Sequence, residues 1–251
     1  MKSVITIILI ISIAGNLVGA YLLYKVMKLR EEVKQFQKYH SDLLTKYEAT
    51  KADFAGTGTF AKENNQLLRE TTPEERKKMT VLFGASITKS LDAGKYLSGM
   101  RIINRGIGSQ IYSQLLGRFA SDVLELEPGK VVIKFCGVNF FPGYDQEAVW
   151  DQFEMMAVAA NARGIVPILA TVLPITRGAD RFDNYSATDK IKIFNDRLKN
   201  FAASHKFPVV DYYAALAGDG GFLPDSLARD ELHPNEKGCE VMAKILRPIL
   251  E

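Results

Sequence analysis

The chain has 251 residues, and its 47% hydrophobic and 24% charged content is ordinary for one globular domain with appendages. The 32 basic and 29 acidic residues leave a net charge of +3, without a basic stripe, which argues against a nucleic-acid-binding surface. Cys136 and Cys239 are too few and too far apart for a disulfide framework or a zinc site. We therefore expect both thiols to be free and buried.

The N-terminal segment is apolar. Val4 to Tyr24 contains no charged residue, and as a helix its 21 positions would be about 31 Å long, which matches the hydrocarbon core of a bilayer. The sequence therefore predicts a single-pass transmembrane helix within residues 1–25. The alternative is a cleaved secretory signal, for which Val18-Gly19-Ala20 would be an acceptable cleavage site.

Residues 26–70 are predicted to form a helical stalk. Mostly apolar residues recur there in steps of three and four, as in a coiled-coil heptad: Val26, Leu29, Val33, Phe36, His40, Leu43, Tyr47, Thr50 and Phe54. This pattern favours a parallel coiled coil between chains. The alternatives are a single amphipathic stalk or a helix lying on the following domain. Gly56-Thr57-Gly58 should break the helix, and a second helical stretch follows to about Arg69.

Residues 71–251 alternate between strand-like and helix-like segments, after a helix start at Thr72 with Pro73 and a capping-box Glu75. This alternation predicts an α/β domain with a parallel sheet covered on both faces. The predicted strands are Thr80–Phe83, Arg101–Asn104, Lys130–Phe135, Ile165–Ala170 and Pro208–Val210. The predicted helices are Gln110–Leu126, Gln146–Arg163, Ala187–His205 and Glu236–Leu250.

Candidate chemical groups follow the predicted strands, where open parallel sheets place their sites. Ser86 comes after the first strand, Gly106 after the second and Asn139 after the third. Asp230 and His233 are three residues apart just before the last helix, a spacing that lets a carboxylate reach an imidazole. A nucleophile, a base, an orienting carboxylate and two hydrogen-bond donors are the groups that acyl transfer requires.

Other site types fit less well. Gly84 to Ser90 is one residue short of a phosphate-binding loop and lacks its second glycine, and Ile111 interrupts a dinucleotide fingerprint. Thr88 stands where the nucleophile elbow of α/β-hydrolases has glycine. Asp230 and His233 have no further metal ligand nearby. We therefore expect neither a metal nor a cofactor.

Four sequence blocks resemble those of the SGNH hydrolases, also called GDSL esterases and lipases, over roughly residues 79–250. The blocks are Phe83-Gly84-Ala85-Ser86-Ile87-Thr88, Asn104-Arg105-Gly106-Ile107-Gly108, Gly137-Val138-Asn139 and Asp230-Glu231-Leu232-His233-Pro234. The resemblance implies a flavodoxin-like three-layer sandwich and metal-free ester hydrolysis. It also implies Ser86 as nucleophile, an Asp230/His233 pair, and oxyanion donors at the Ser86 N–H, the Gly106 N–H and the Asn139 side chain.

The sequence departs from the family pattern at two positions. Ala85 replaces the aspartate that commonly precedes the serine, which leaves open how the loop around Ser86 is held. Phe140 replaces the aspartate that commonly follows the asparagine. Phe140 and Phe141 could form a wall of an acyl pocket or could pack in the core.

The leading hypothesis is a membrane-anchored serine ester hydrolase that acts on acyl or O-acetyl esters through an acyl-enzyme. The alternative is an inactive, membrane-tethered coiled-coil scaffold with a ligand-binding hydrolase-like domain. Expected partners are a small ester, lipid or acetylated glycan, the membrane, and further copies of the chain through the stalk. Basic residues after the apolar segment favour a cytoplasmic catalytic domain, whereas the family resemblance slightly favours an extracytoplasmic one.

Overall fold

The computed structural model describes the backbone of residues 2–251 and the side chains of residues 16–45, 48 and 51–251. The chain divides into two compact units, residues 1–52 and residues 53–251.

The first unit is one continuous helix, α1 (Lys2–Ala52), which ends shortly before the predicted break at Gly56. Its apolar side chains at Val26, Leu29, Val33, Phe36 and Leu43 are all exposed. Tyr47 and Thr50, which complete the predicted heptad pattern on this helix, lie outside the described side chains.

The predicted membrane anchor, Val4 to Tyr24, falls within α1, and the side chains of residues 4–15 lie outside the description. Within the part of the chain that the structure describes, none of the helices combines the length and the apolar character needed to cross a membrane.

The second unit begins at residue 53. The hydrolase-like domain was predicted to begin at residue 71, which is 18 residues later. Helix α2 (Ala61–Glu70) packs Leu67 and Leu68 against the core and buries Asn64. Residues 53–70 therefore belong with the sheet, because their side chains make tertiary contacts there. The next helix, α3 (Pro73–Arg76), begins with the expected capping box, in which Thr72 and Glu75 exchange side-chain-to-backbone hydrogen bonds.

Five parallel strands form the sheet: β1 (Thr80–Gly84), β2 (Ile102–Gly106), β3 (Lys130–Lys134), β4 (Val166–Ala170) and β5 (Val209–Val210). Their spatial order is β2-β1-β3-β4-β5, which is the flavodoxin-like order. All five predicted strands are present, and the fold class predicted for this domain is confirmed. The carboxyl ends of β1, β2 and β3 meet at one edge because these strands are neighbours.

The helices of the second unit that follow β1 are α4 (Ser86–Ser90), α5 (Ala93–Tyr96), α6 (Tyr112–Phe119), α7 (Gln146–Ala162), α8 (Ala187–His205), α9 (Tyr212–Leu216) and α10 (Glu236–Leu250). A π-helical turn, Ala120–Leu124, extends α6, and a 3-10 turn, Gly137–Phe140, follows β3. The four long predicted helices are confirmed.

The sheet side chains alternate between two cores, which produces the three-layer sandwich. Val81 and Phe83 of β1 face a core that includes Leu115, Phe153 and Leu198 from α6, α7 and α8. Leu82 faces the second core, which includes Leu216 and Met242 from α9 and α10. Cys136 and Cys239 are free and buried, as expected.

Candidate active site

Ser86 lies at a tight turn between β1 and α4. The strand ends at Gly84, the helix begins at Ser86, and Ala85 alone connects them. A Cβ atom on Gly84 would lie 2.3 Å from Thr88 Oγ1 and 2.7 Å from the Lys134 carbonyl oxygen. Glycine is therefore required at position 84, because the start of α4 packs directly against the end of the strand.

His233 reaches Ser86 from the loop before α10. An isolated bridge between Ala228 and Pro234 shapes that loop, and Asn235 caps the helix by accepting a hydrogen bond from the Gly238 N–H. The Ser86 Oγ and His233 Nε2 atoms are 2.7 Å apart, although the two residues are 147 positions apart in the chain. The structure therefore brings together the predicted nucleophile and the predicted base.

Asp230 contacts the other ring nitrogen of His233. The His233 Nδ1 atom lies 2.8 Å from Oδ1 and 3.0 Å from Oδ2 of Asp230, whose Oδ1 also accepts hydrogen bonds from the Leu232 and His233 backbone N–H groups. Burial alone would raise the pKa of Asp230, but these hydrogen bonds outweigh it and lower the pKa to about 2. The carboxylate stays ionised, so it selects the tautomer with hydrogen on Nδ1 and directs the Nε2 lone pair at Ser86.

Gly106, predicted to be an oxyanion donor, lies at the end of β2 against the start of α4. Its N–H donates to Asn104 Oδ1 at 2.9 Å, so this hydrogen is already engaged. A Cβ atom at this position would lie 2.1 Å from the backbone nitrogen of Lys89. Gly106 is therefore needed because β2 and α4 pack closely here, and its N–H, which the sequence predicted to be an oxyanion donor, already has an acceptor within the protein.

The loop after β2 nevertheless offers two other N–H groups. The Ile107 N–H donates to the Gly84 carbonyl, whereas those of Gly108 and Ser109 donate to no acceptor in the described part of the chain. Ser109 has a φ of 64°, which is uncommon for a residue other than glycine and often marks a constrained functional turn. Sequence reasoning missed these two groups; the second glycine of the block, Gly108, was the available signal.

Asn139 lies in the 3-10 turn after β3 and is fully buried. One Nδ2 hydrogen goes to the Cys136 carbonyl at 3.1 Å, and Oδ1 accepts from the Tyr112 N–H at 3.1 Å. A primary amide carries two hydrogens, so one Nδ2 hydrogen remains for another acceptor. The amide is thus fixed by the turn and by the start of α6.

Of the two phenylalanines predicted to line an acyl pocket, Phe140 belongs to the core. It is fully buried, and its ring packs edge-on against Phe194 with 5.0 Å between centroids. The interpretation of Phe140 as a pocket wall is therefore wrong. Phe141 is partly exposed and packs at 5.1 Å against Phe182 from the loop between β4 and α8, so it remains a candidate.

A polar cleft of about 500 Å³ lies beside Asp230. Its lining is Thr176, Arg177, Gly178, Asp225, Ala228, Arg229, Asp230 and Glu231. Within the described residues, no group of His, Cys, Asp and Glu is arranged to hold a metal ion.

Comparison with known proteins agrees with this geometry. The model of the GDSL-like Lipase/Acylhydrolase family matches residues 82–241, which is more than half of the chain. The chain therefore belongs to the GDSL-like Lipase/Acylhydrolase family, and the resemblance to SGNH hydrolases is confirmed. Membership makes it an ester hydrolase. No curated protein matches the chain.

Solved structures with the same fold include two from Bacteroides. A proposed acylhydrolase of Bacteroides fragilis is 29% identical, with a TM-score of 0.71 over 79% of this chain and 97% of the other. A GDSL-like lipase of Bacteroides thetaiotaomicron is 27% identical, with a TM-score of 0.69 over 79% and 98%. A lipase/acylhydrolase of Enterococcus faecalis is 23% identical, with a TM-score of 0.58 over 69% and 95%, and shares the fold.

Proposed function

We propose that this protein hydrolyses esters through an acyl-enzyme formed on Ser86. The observation that supports this most directly is the continuous series of contacts from Ser86 Oγ through the His233 imidazole to Asp230. Oγ attacks the ester carbonyl carbon while Nε2 takes the hydroxyl proton. The imidazolium, stabilised by the ionised Asp230, then protonates the leaving alcohol. Water, activated by the same nitrogen, cleaves the acyl–serine bond and restores the free hydroxyl.

The negative charge that develops on the carbonyl oxygen requires hydrogen-bond donors at the same edge of the sheet. We assign this role to the Ser86 N–H, at the start of α4, and to the second Nδ2 hydrogen of Asn139. The loop after β2 would contribute the N–H of Gly108 or Ser109, since the N–H groups of Gly106 and Ile107 are engaged.

The polar cleft beside Asp230 favours a polar alcohol portion of the substrate. Arginine and carboxylate side chains line it, and these can donate to and accept from hydroxyl groups. Among the two substrate classes that the sequence leaves open, we therefore favour O-acetyl or short acyl esters of a glycan over long-chain lipid esters. Hydrolysis rates should fall as the acyl chain lengthens and should be highest on acetylated glycans. The reverse order would favour the lipid class.

Replacement of Ser86 tests the assignment. Ser86→Ala should lower turnover of p-nitrophenyl acetate by about 10⁶ and abolish labelling by a fluorophosphonate probe. Ser98→Ala, which changes an exposed serine after α5, is the matched control and should keep full activity. Activity above a few per cent in a folded Ser86→Ala variant would contradict the mechanism.

The histidine and aspartate have a similar test. His233→Ala should be nearly as damaging as loss of the serine. Asp230→Asn should retain about 10² more activity than Ser86→Ala, as for the corresponding residues of subtilisin. His205→Ala is the matched control, because this ring packs on Phe201 at the end of α8. If His205→Ala were the inactivating change, the base would be misassigned.

The same experiments separate an enzyme from an inactive scaffold. A scaffold that only binds ligand should not react with the fluorophosphonate, whereas an active serine hydrolase should be labelled stoichiometrically. We also propose that catalysis is independent of metal ions. EDTA should leave the rate unchanged, and a loss that a divalent ion restores would contradict this.

We further propose that α1 anchors the protein in a membrane and pairs with α1 of other copies. The apolar stretch from Val4 to Tyr24 supports the anchor. The exposed apolar side chains between Val26 and Leu43 support the pairing, because an apolar stripe stabilises a helix only when a partner covers it. The family resemblance slightly favours an extracytoplasmic catalytic unit, and protease protection of sealed vesicles would decide the side.

A truncated protein tests this division of the chain. The full chain should sediment with membranes and cross-link as an oligomer in detergent. A protein that begins at residue 53 should be monomeric and fully active. A monomeric full chain would contradict pairing, and a full chain that keeps its N-terminus yet stays out of the membrane fraction would contradict the anchor.

A further inference from the structure

A buried polar cluster lies directly behind the Ser86 turn, and its centre is Arg118 of α6. The Arg118 side chain is fully buried. It donates from Nε to Gln110 Oε1 at 2.6 Å, from Nη1 to Asp122 Oδ2 at 2.6 Å, and from Nη2 to the Gly84 carbonyl oxygen at 2.9 Å. All three nitrogens of the guanidinium therefore have an acceptor in the protein.

The third acceptor connects this cluster to the proposed nucleophile. Gly84 is the last residue of β1, and one residue separates it from Ser86. Its carbonyl also accepts a hydrogen bond from the Ile107 N–H at 3.2 Å. The orientation of this peptide group decides where the chain leaves the strand, and hence where Ser86 Oγ lies relative to His233.

The upstream segment completes the cluster. Asn64 of α2 is buried and donates from Nδ2 to Asp122 Oδ1 at 2.9 Å and to the Ser121 carbonyl at 3.0 Å. Its Oδ1 accepts from Arg105 Nε at 2.9 Å. Asn64 thus donates to the same Asp122 carboxylate that accepts a hydrogen bond from Arg118. It also lies outside residues 82–241, the part of the chain that the family model matches.

Stability alone does not account for such a cluster. A buried ion pair costs desolvation free energy, and well-packed apolar replacements of both partners are often equally stable. The pair instead provides directed hydrogen bonds, and one of them fixes the Gly84 carbonyl. A fixed guanidinium is suited to this role because its donors lie in one rigid plane.

We propose that Arg118 is a positioning residue for the Ser86 nucleophile, and that Asn64 supports it from the upstream segment. The proposal rests on the proposed function, since it assumes that Ser86 reacts. Ala85 has no polar side chain with which to hold the turn. Arg118 restrains the turn instead, by donating a hydrogen bond to the carbonyl oxygen of Gly84, the residue before Ala85. Residues 53–70 are consequently part of the catalytic unit in function as well as in packing.

The central experiment removes the ion pair as a unit in the full-length protein. Arg118→Met combined with Asp122→Leu leaves no unpaired member of this ion pair and releases the Gly84 carbonyl. Loss of alignment by about 1 Å can cost on the order of 10² in rate. We expect a fall of that order in kcat and in the fluorophosphonate labelling rate constant. KM and the labelling amplitude, which counts folded sites, should change little.

A second variant tests the upstream contribution. Asn64→Leu should lower the labelling rate constant by about tenfold. Gln66→Leu, on the same helix but with its side chain paired to Glu70 at the surface, is the matched control and should label at the wild-type rate. Because the two changes share the helix and the new side chain, a difference between them reports on the cluster.

The outcomes are distinguishable. A folded double variant that labels at the wild-type rate constant overturns the positioning role. A lower amplitude with an unchanged rate constant also overturns it, because that result means only fewer folded molecules. Failure of the proposed function would appear earlier, as a wild-type protein that does not label or a Ser86→Ala variant that labels equally well.

Discussion

Lys134, the last residue of β3, is a buried cation whose replacement by methionine should stabilise the protein at neutral pH. Its Nζ donates to the Phe135 carbonyl at 3.2 Å. Lys134 also lines a small cavity together with Leu82, Thr88, Leu91, Val132, Tyr212 and Met242. Burial lowers the pKa of Lys134 from 10.5 to about 8, and the charge interaction with Cys136 acts in the opposite direction without cancelling it. Methionine fills a similar volume without the charge.

The lowered pKa of Lys134 determines the size and the sign of the stability change that Lys134→Met should cause. The difference of 10.5 − 8, about 2.5 pH units, corresponds to about 3 kcal/mol at 1.36 kcal/mol per unit. Below pH 8 both states are protonated, so the folded state bears the full cost of the buried charge. Between pH 8 and 10.5 the folded protein has released a proton that the unfolded chain still binds, so stability rises with pH and the cost disappears.

Urea unfolding of the wild type and of Lys134→Met between about pH 7 and pH 10.5 measures how the free energy of unfolding of each protein depends on pH. The variant should be more stable by about 3 kcal/mol at pH 7, and the difference should shrink across that range. Lys244→Met, at an exposed position of α10, is the control and should show no such convergence. A variant that is less stable at pH 7, or a difference that does not depend on pH, would refute the reasoning.

Three further outcomes are expected at the active site. Activity should not be lost through protonation of Asp230 near neutrality, because the pKa of Asp230 is lowered to about 2 and its carboxylate stays ionised there; two ionisations in the neutral range of kcat/KM would contradict this. Gly106→Ala should destabilise by about 1–3 kcal/mol in thermal unfolding, since its Cβ would meet Lys89. Asn139→Ala should lower kcat by about 10²–10³ with little change in KM; the opposite pattern would indicate substrate binding.

Features that depend on near neighbours in the chain could be predicted from the sequence. The capping box at Thr72 and the bounds of α8, Ala187–His205, follow from local hydrogen bonding and periodicity. The contact between Asp230 and His233 belongs to the same class, because three residues in a tight loop bring the two side chains together. The parallel sheet was predictable from alternating segments, since each strand needs a helix to return the chain.

Contacts between distant segments required the tertiary structure. Phe140 looked equally suited to a pocket or a core, and only its packing against Phe194 shows that it is buried. Gly106 looked like a donor because of its position after a strand, but the close approach of α4 explains the glycine. Residues 53–70 looked like an extension of the stalk, because a helical pattern does not reveal which helix faces are covered by later parts of the chain.

The sequence by itself determined which residues stand at the carboxyl edge of the sheet, because strand ends and their following residues are local properties. It also determined the Asp230–His233 pair. Only the tertiary structure decided that His233 Nε2 lies 2.7 Å from Ser86 Oγ and that Arg118 holds the Gly84 carbonyl. Hydrogen bonds require agreement within tenths of an ångström, and between segments far apart in the chain that agreement arises from packing of the whole domain rather than from local spacing.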